Sequence, residues 1–221
     1  MRPNCEQLQA CPLFRGIGSD DLERMVDCMS VRHRDYTKGE YVLMADTPAT
    51  SIGIVLHGSV HVISEDYWGN RSILSQVGGG GVFAEAFSCA DVPKIPISVV
   101  AAERSTVAFL DYRRATVICE NACSFHLTLI QNMLRLIAGN NLILTEKISH
   151  LAKRTTREKL LSYLSEQAVA ASSSVFDIPF NRQELADYLC VDRSAMSAEL
   201  SRLKNEGFLD YQKNRFHLLE Q

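Results

Sequence analysis

The sequence predicts an α+β chain: a β-rich N-terminal half, one long central helix, and a small C-terminal half of helices and a hairpin. Three observations carry this. Between Val31 and Leu110 short apolar runs alternate with Gly, Asp, Asn and Pro clusters, at roughly the 8 to 12 residue spacing of a sandwich or barrel. From Ser124 to Leu151 apolar residues keep a seven-residue repeat, the pattern of a helix with one seam facing a partner. Beyond Ala152 two capping signatures frame short helices.

A chain of 221 residues suits one large or two modest domains with a real core. No stretch nears the ~20 apolar residues that span a bilayer, and Met1-Arg2-Pro3-Asn4 leads into no apolar run. The expected location is the cytoplasm, with no membrane partner. A net charge of −3 excludes a uniformly basic DNA-coating protein and leaves room for a local basic face. The 7 cysteines are odd in number and lack the CxxC pairs of zinc or iron–sulfur sites. They read as reduced core residues; Cys119, Cys123 and His126 form the one local cluster with metal or redox character.

Taken in order, Ser19 with Asp20, Asp21 and Glu23 reads as an N-cap and an acidic first helical turn. The strand runs are Tyr41 to Met44, Ile52 to Leu56, Val60 to Ile63, Ser72 to Val77 and Val99 to Leu110, with Trp68-Gly69-Asn70 at a hairpin tip. The run Gly78 to Gly81 leads into Val82 to Phe87, which reads as one or two helical turns. Glycines before a helix let backbone N–H groups cradle an anion. They also serve simply as tight turns.

In the long helix Leu127, Leu134, Asn141 and Ile148 share one heptad position, while Ile130, Ile137, Leu144 and Leu151 share the other. The expected homodimer interface is therefore Leu127, Ile130, Leu134, Ile137, Asn141, Leu144 and Ile148, with Asn141 fixing register at a cost in stability. A second stripe, Leu129, Met133, Leu136 and Ile143, must be covered by the same chain. One buried core helix without a dimer is the plain alternative. At ~1.5 Å per residue the helix is about 40 Å long, with Gly139 a soft point within it.

Thr155 and Glu158 form a capping box that opens the next helix; a strand at Phe176 to Pro179 and a second capping box, Asn181 to Glu184, follow. Arg182 to Leu189 is a short helix, Cys190-Val191 a tight turn, and Asp192 caps a helix to about Asn205: a helix-turn-helix. Leu185, Leu189, Val191, Met196, Leu200 and Leu203 face inward. Arg193, Ser194, Ser197, Ala198, Ser201 and Arg202 face outward or flank that face. A helix that enters the major groove of double-stranded DNA needs small or hydrogen-bonding side chains and Arg for guanine. The expected DNA-binding residues are Arg193, Ser194, Ser197, Ala198 and Arg202, joined by Lys213 and Arg215 on a hairpin wing that meets phosphate. A helical hairpin with a solvated polar face is the alternative.

Pro12-Leu13-Phe14, Lys38-Gly39-Glu40, His57-Gly58-Ser59-Val60 and the glycine turn with Phe83-Ala84-Glu85 resemble, in order and spacing, the cyclic-nucleotide-binding β-roll of the CRP/FNR family of bacterial transcription regulators. The resemblance runs on to the C-terminus. It implies a double-stranded β-helix (jelly-roll) sensor at 1–122, a dimerisation helix at 123–151 and a winged helix-turn-helix at 152–221. It also implies a homodimer on a pseudo-palindromic operator, controlled by a small effector, with RNA polymerase as a further partner of an activator. The matching effector positions are Phe83, Ala84, Glu85, Ile95, Ile97, Ser98 and Thr145. Two departures bear on the effector. Ile95 stands where cyclic-AMP-binding members place the Arg that pairs with phosphate, and Leu144-Thr145 replaces a Thr-Ser pair. Losing a charge-assisted partner removes about 2–3 kcal/mol, so the expected effector is less anionic than cyclic AMP. Ser194 and Ala198 stand where well-known members carry Glu and Arg, so their base preference does not transfer. Cys5, Cys11 and Cys28 lack the close spacing of the iron–sulfur branch.

Two other readings stay open. A regulator could need no ligand, its cup filled by Ile95, Ile97 and Phe87. A cupin-type enzyme would use His57, His61 and Glu65 as metal ligands, against which stand Gly58 between the histidines and the missing HxH pattern.

Overall fold

The computed structural model describes residues 5–48, 50–90, 92–111, 113 and 125–219. Cys119 and Cys123 lie outside the described residues, as does the sensor boundary expected at 122. The chain divides into two compact units, Met1–Asn141 and Leu142–Gln221.

The first unit begins with α1 (Cys5–Gln9), a 3-10 turn (Pro12–Phe14) and α2 (Ser19–Cys28). Among the described residues eight strands follow: β1 (Arg32–Tyr36), β2 (Tyr41–Leu43), β3 (Ile52–His57), β4 (Ser59–Glu65), β5 (Arg71–Gly78), β6 (Val82–Phe83), β7 (Ser98–Ala101) and β8 (Ser105–Leu110). They form two antiparallel four-stranded sheets, β1-β8-β3-β6 and β2-β7-β4-β5. Val55, Phe83 and Val107 from the first and Val42, Val60, Val99 and Ala101 from the second share one apolar core. The expected strands are present, β1 is an addition to them, and two further differences stand. Val99 to Leu110 is two strands around a turn, and Val82–Phe83 pairs with Gly53 and Ile54 as a strand before a short helix, α3 (Glu85–Cys89). The first difference has a local cause: Ser105 Oγ donates to the Ser59 carbonyl at 2.9 Å, and Ser59 Oγ donates to Glu103 at 2.8 Å. This knot holds the turn against Gly58, whose φ of +78° and lack of a Cβ let the Arg104 carbonyl approach.

A second core lies on the other face of the first sheet. Ile52, Ile54, Val82, Ala108 and Leu110 pack there with α1, α2 and the long helix α4 (Phe125–Leu151) through Phe125, Leu129 and Met133. The second stripe of α4 is thus covered by its own chain as far as Leu136. Ile143 is a correction: it is exposed, because beyond Asn141 the helix buries other side chains. Asn132, buried in this interface, donates to the carbonyls of Leu13 and Arg15 at 3.0 and 2.7 Å and pins the 3-10 turn to α4.

The second unit holds the end of α4, then α5 (Thr156–Ala171), β9 (Val175–Asp177), α6 (Arg182–Leu189), α7 (Arg193–Asn205), β10 (Leu209–Gln212) and β11 (Arg215–Leu218), the strands in order β10-β11-β9. Both capping boxes form as the sequence indicates, on Thr155 with Glu158 and on Asn181 with Glu184. Leu160, Leu164, Leu185, Ala186, Leu189, Met196, Leu200, Leu203, Leu209 and Phe216 are buried. Sequence reading places the boundary near Ala152; the compact units part ten residues earlier in order of chain, inside α4. The cause is the burial of Lys147 and His150 within the second unit.

Candidate functional site

The helix-turn-helix is held by a few backbone devices. Cys190 closes α6 in the left-handed region at φ 51°, and its amide donates to the Ala186 carbonyl. Asp192 then caps α7, accepting from Ala195 N at 2.8 Å and Ser194 Oγ at 2.5 Å. The Ser194 hydroxyl and the Ala195 amide hold the Asp192 carboxyl below the usual carboxylate range, so the cap stays ionised at neutral pH. With Met196, Leu200 and Leu203 inward, the structure leaves Arg193, Ser194, Ala198, Ser201 and Arg202 exposed and Ser197 half-buried. Ser197 Oγ donates to the Arg193 carbonyl at 2.9 Å, and Ser201 Oγ to the Ser197 carbonyl at 3.0 Å. Lys213, with φ 53°, and Asn214 turn the chain from β10 to β11; Lys213 and Arg215 are exposed.

Sequence reasoning missed the charge network beside this face. Arg157, at the start of α5, reaches Glu206 at 2.5 Å and Glu199 at 3.3 Å, and Glu199 also takes Arg202 at 3.3 Å. Arg157, Glu199 and Arg202 line a groove of about 490 Å³ with Thr155, Thr156, Ala195 and Ala198. The only sequence signal was Glu199 three residues before Arg202 on a face otherwise of Ser, Ala and Arg. Arg182 stacks over Tyr211 and Phe216 at 4.7 and 5.1 Å, tying the first residue of α6 to the wing.

In the sensor unit the expected effector residues form a packed interior. Phe83, Ala84, Ile95 and Ile97 belong to the core between the sheets, with Ile95 at 0% exposure. A Cβ on Gly53 would sit 2.1 Å from the Phe83 ring, so glycine there is what admits the ring. Ser98 is buried, and its hydroxyl accepts from Ala45 N at 3.0 Å. Glu85 is only 6% exposed and accepts from Asn140 Nδ2 of α4 at 2.7 Å. Thr145 lies in the second unit, exposed. The glycine run is stitched down: Gly80 N donates to the Val55 carbonyl, Val55 N to the Gly81 carbonyl, and Gly81 N to the Gly78 carbonyl. Two of the amides expected to cradle an anion are thus spent, one within the turn and one on β3. His57 and Glu65 are exposed while His61 is buried, and among the described residues no cluster of three His, Cys, Asp or Glu is set to hold a metal.

A two-sheet sensor joined through a long helix to a winged helix-turn-helix defines a class, the DNA-binding transcription regulators with a cyclic-nucleotide-binding type of domain. The family model of the cyclic nucleotide-binding domain matches residues 33–122, and that of the Crp-like helix-turn-helix domain matches residues 158–220. The chain belongs to the CRP/FNR family of transcription regulators. It is 21% identical to the transcriptional activator protein anr of Pseudomonas aeruginosa, over 98% of this chain and 89% of that protein. It is 23% identical to the probable transcriptional regulator flp of Lacticaseibacillus casei, over 94% of this chain and 91% of that one. Among solved structures it is similar to the c-di-GMP responsive global regulator CLP of Xanthomonas campestris, with a TM-score of 0.76 and 18% identity over 92% of this chain and 100% of that chain.

Proposed function

We propose that this regulator works as a homodimer on a pseudo-palindromic duplex site and that its sensor takes a small effector other than cyclic AMP. One observation carries the dimer. Leu127, Leu134 and Ile148, on one heptad position of α4, are 65%, 63% and 65% exposed, a cost that a second copy of the helix would remove. Burying each such side chain contributes about 1.5–3 kcal/mol. A two-fold axis along α4 would set both α7 helices at successive major grooves about 34 Å apart. Arg193, Ser194, Ser197, Ala198 and Arg202 would read or flank the bases, and Lys213 and Arg215 would meet phosphate. RNA polymerase joins as a partner where the regulator activates.

The effector reading rests on Ile95, buried and apolar where the resemblance places the Arg of cyclic-AMP-binding members, and on Glu85, which accepts from an amide. The solved relative that answers to c-di-GMP is a precedent for a different ligand on this fold. A second reading, a cup filled by its own side chains, is favoured by the core packing of Ile95, Ile97 and Phe83, with Phe87 at its edge. The relatives are regulators, so we place catalysis outside the function, and the protein in the cytoplasm. No helix among the described residues is long and apolar enough to cross a membrane.

Sedimentation at micromolar concentration tests the dimer, and a monomer overturns it. Calorimetry with cyclic AMP tests the effector reading, since tight binding overturns it. Mass spectrometry of small molecules released on denaturation separates the two sensor readings. A stoichiometric metabolite supports the first, and none, with undiminished DNA binding, supports the second.

A further inference from the structure

The last turns of α4 bury two side chains in the second unit, and both are ionisable: Lys147 and His150, each 5% exposed. The Lys147 ammonium sits 4.1 Å from the centroid of the Tyr188 ring near the end of α6. Tyr188 in turn stacks on Phe180 at 4.8 Å and leans on Tyr163 at 5.4 Å. One helical turn on, His150 meets Ser162 Oγ at 2.8 Å, pairs with Glu166 and abuts Tyr163 edge-on. From α5, Lys159 Nζ donates to the Leu189 carbonyl at 3.4 Å. Two cations thus converge where the α6 dipole ends negative, beside the turn that aims α7.

We infer that Lys147 is a positioning residue for the DNA-reading helix: it seats the end of α4 on the C-terminal end of α6, and its buried charge keeps that seat releasable. A Leu or Met would fill the same space without desolvating an ammonium. A cation over an aromatic platform gives direction and recovers part of that cost. The inference rests on the DNA-binding reading of α6 and α7 and adds how they are held.

Burial pulls Lys147 down to about 8 from the ordinary 10.5, with Cys190 opposing the shift. Between those values the released state holds more protons than the seated one, so the seat tightens as pH rises through about 8 and is weakest below it. The other titratable groups around it are Tyr188 and Cys190, then Tyr163, Lys159 and Glu166 of α5, and Glu146 and His150 of α4 itself. Burial pushes Tyr188 up to about 12, so it stays neutral over this range.

The test uses the full chain and a duplex it selects from a random pool, with affinity read by fluorescence anisotropy at pH 7 and pH 9. Lys147→Met should bind several-fold more tightly than the unaltered protein at pH 7, and the two should agree within about twofold at pH 9. Lys147→Ala, which loses the platform contact, should bind more weakly at both. Cys190→Ser should keep the pH dependence. Melting temperature reads the seat without DNA: the Met variant should melt higher at pH 7, and the gap should close by pH 9. A Met-to-native difference that is the same at both pH values in melting, native-like binding by the Ala variant, or loss of the pH dependence in Cys190→Ser overturns the inference. Failure to select any duplex, with the melting gap closing as expected, tells against the DNA-binding reading and leaves the seat standing.

Discussion

At single residues the second unit trades stability against function in two places. Cys190 holds φ 51° and ψ 55°, a left-handed conformation that costs a residue with a Cβ about 1–2 kcal/mol. Cys190→Gly should therefore raise the unfolding free energy by about 1 kcal/mol, measured by urea titration of the full chain. An unchanged midpoint would mean the strain is relieved elsewhere. Glu199 holds Arg202 beside the exposed face of α7 and shares Arg157 with Glu206. Glu199→Gln should free Arg202 for phosphate while Glu206 still holds Arg157, tightening non-specific duplex binding and steepening its salt dependence by about one counterion per head. A salt titration on random-sequence duplex checks this; a slope equal to that of the native chain would show the pair is already open to DNA.

Between residue and molecule stands α4, whose faces answer to different partners. One face is spent on the sensor core through Phe125, Leu129 and Met133, and another carries the exposed heptad residues. Leu134→Glu should leave the sensor fold intact while shifting the proposed dimer towards monomer by about 3 kcal/mol or more, since two copies change at once. Sedimentation across a concentration series would show the shift, and an unaltered dimer would place the interface elsewhere. The extent of α4 and of the three helices after it was legible, because heptads, capping boxes and the Cys190-Val191 turn are local signals that survive in a bare sequence. The β-roll was less so. Val82-Phe83 looked helical beside Glu85 and Ala86 until pairing with Gly53 and Ile54 decided it, and the Glu85 contact with Asn140 joins residues 55 apart in sequence. Nor does periodicity reveal that Lys147, a charged residue, points inward: only the aromatic platform from α6 makes that place for it.

For the whole molecule, an effector acts only through a difference in affinity between two arrangements of the chain. For the proposed effector Glu85 would be the point of leverage, because a ligand group that bound its carboxylate would compete with Asn140 of the long helix. The reach of such a change to DNA depends on both heads engaging one duplex, and salt dependence can count them. Lys213 sits exposed at the tip of each wing. If each wing cation neutralises one phosphate, replacing it removes about 0.9 from the slope of log K against log salt per head. Lys213→Ala in a dimer that grips both half-sites should thus lower the slope by about 2 on a selected palindrome and by about 1 on a duplex carrying one half-site. A loss of about 1 on both duplexes would mean that only one head binds at a time, and the two-fold geometry assigned to α4 would not be the one that reads DNA.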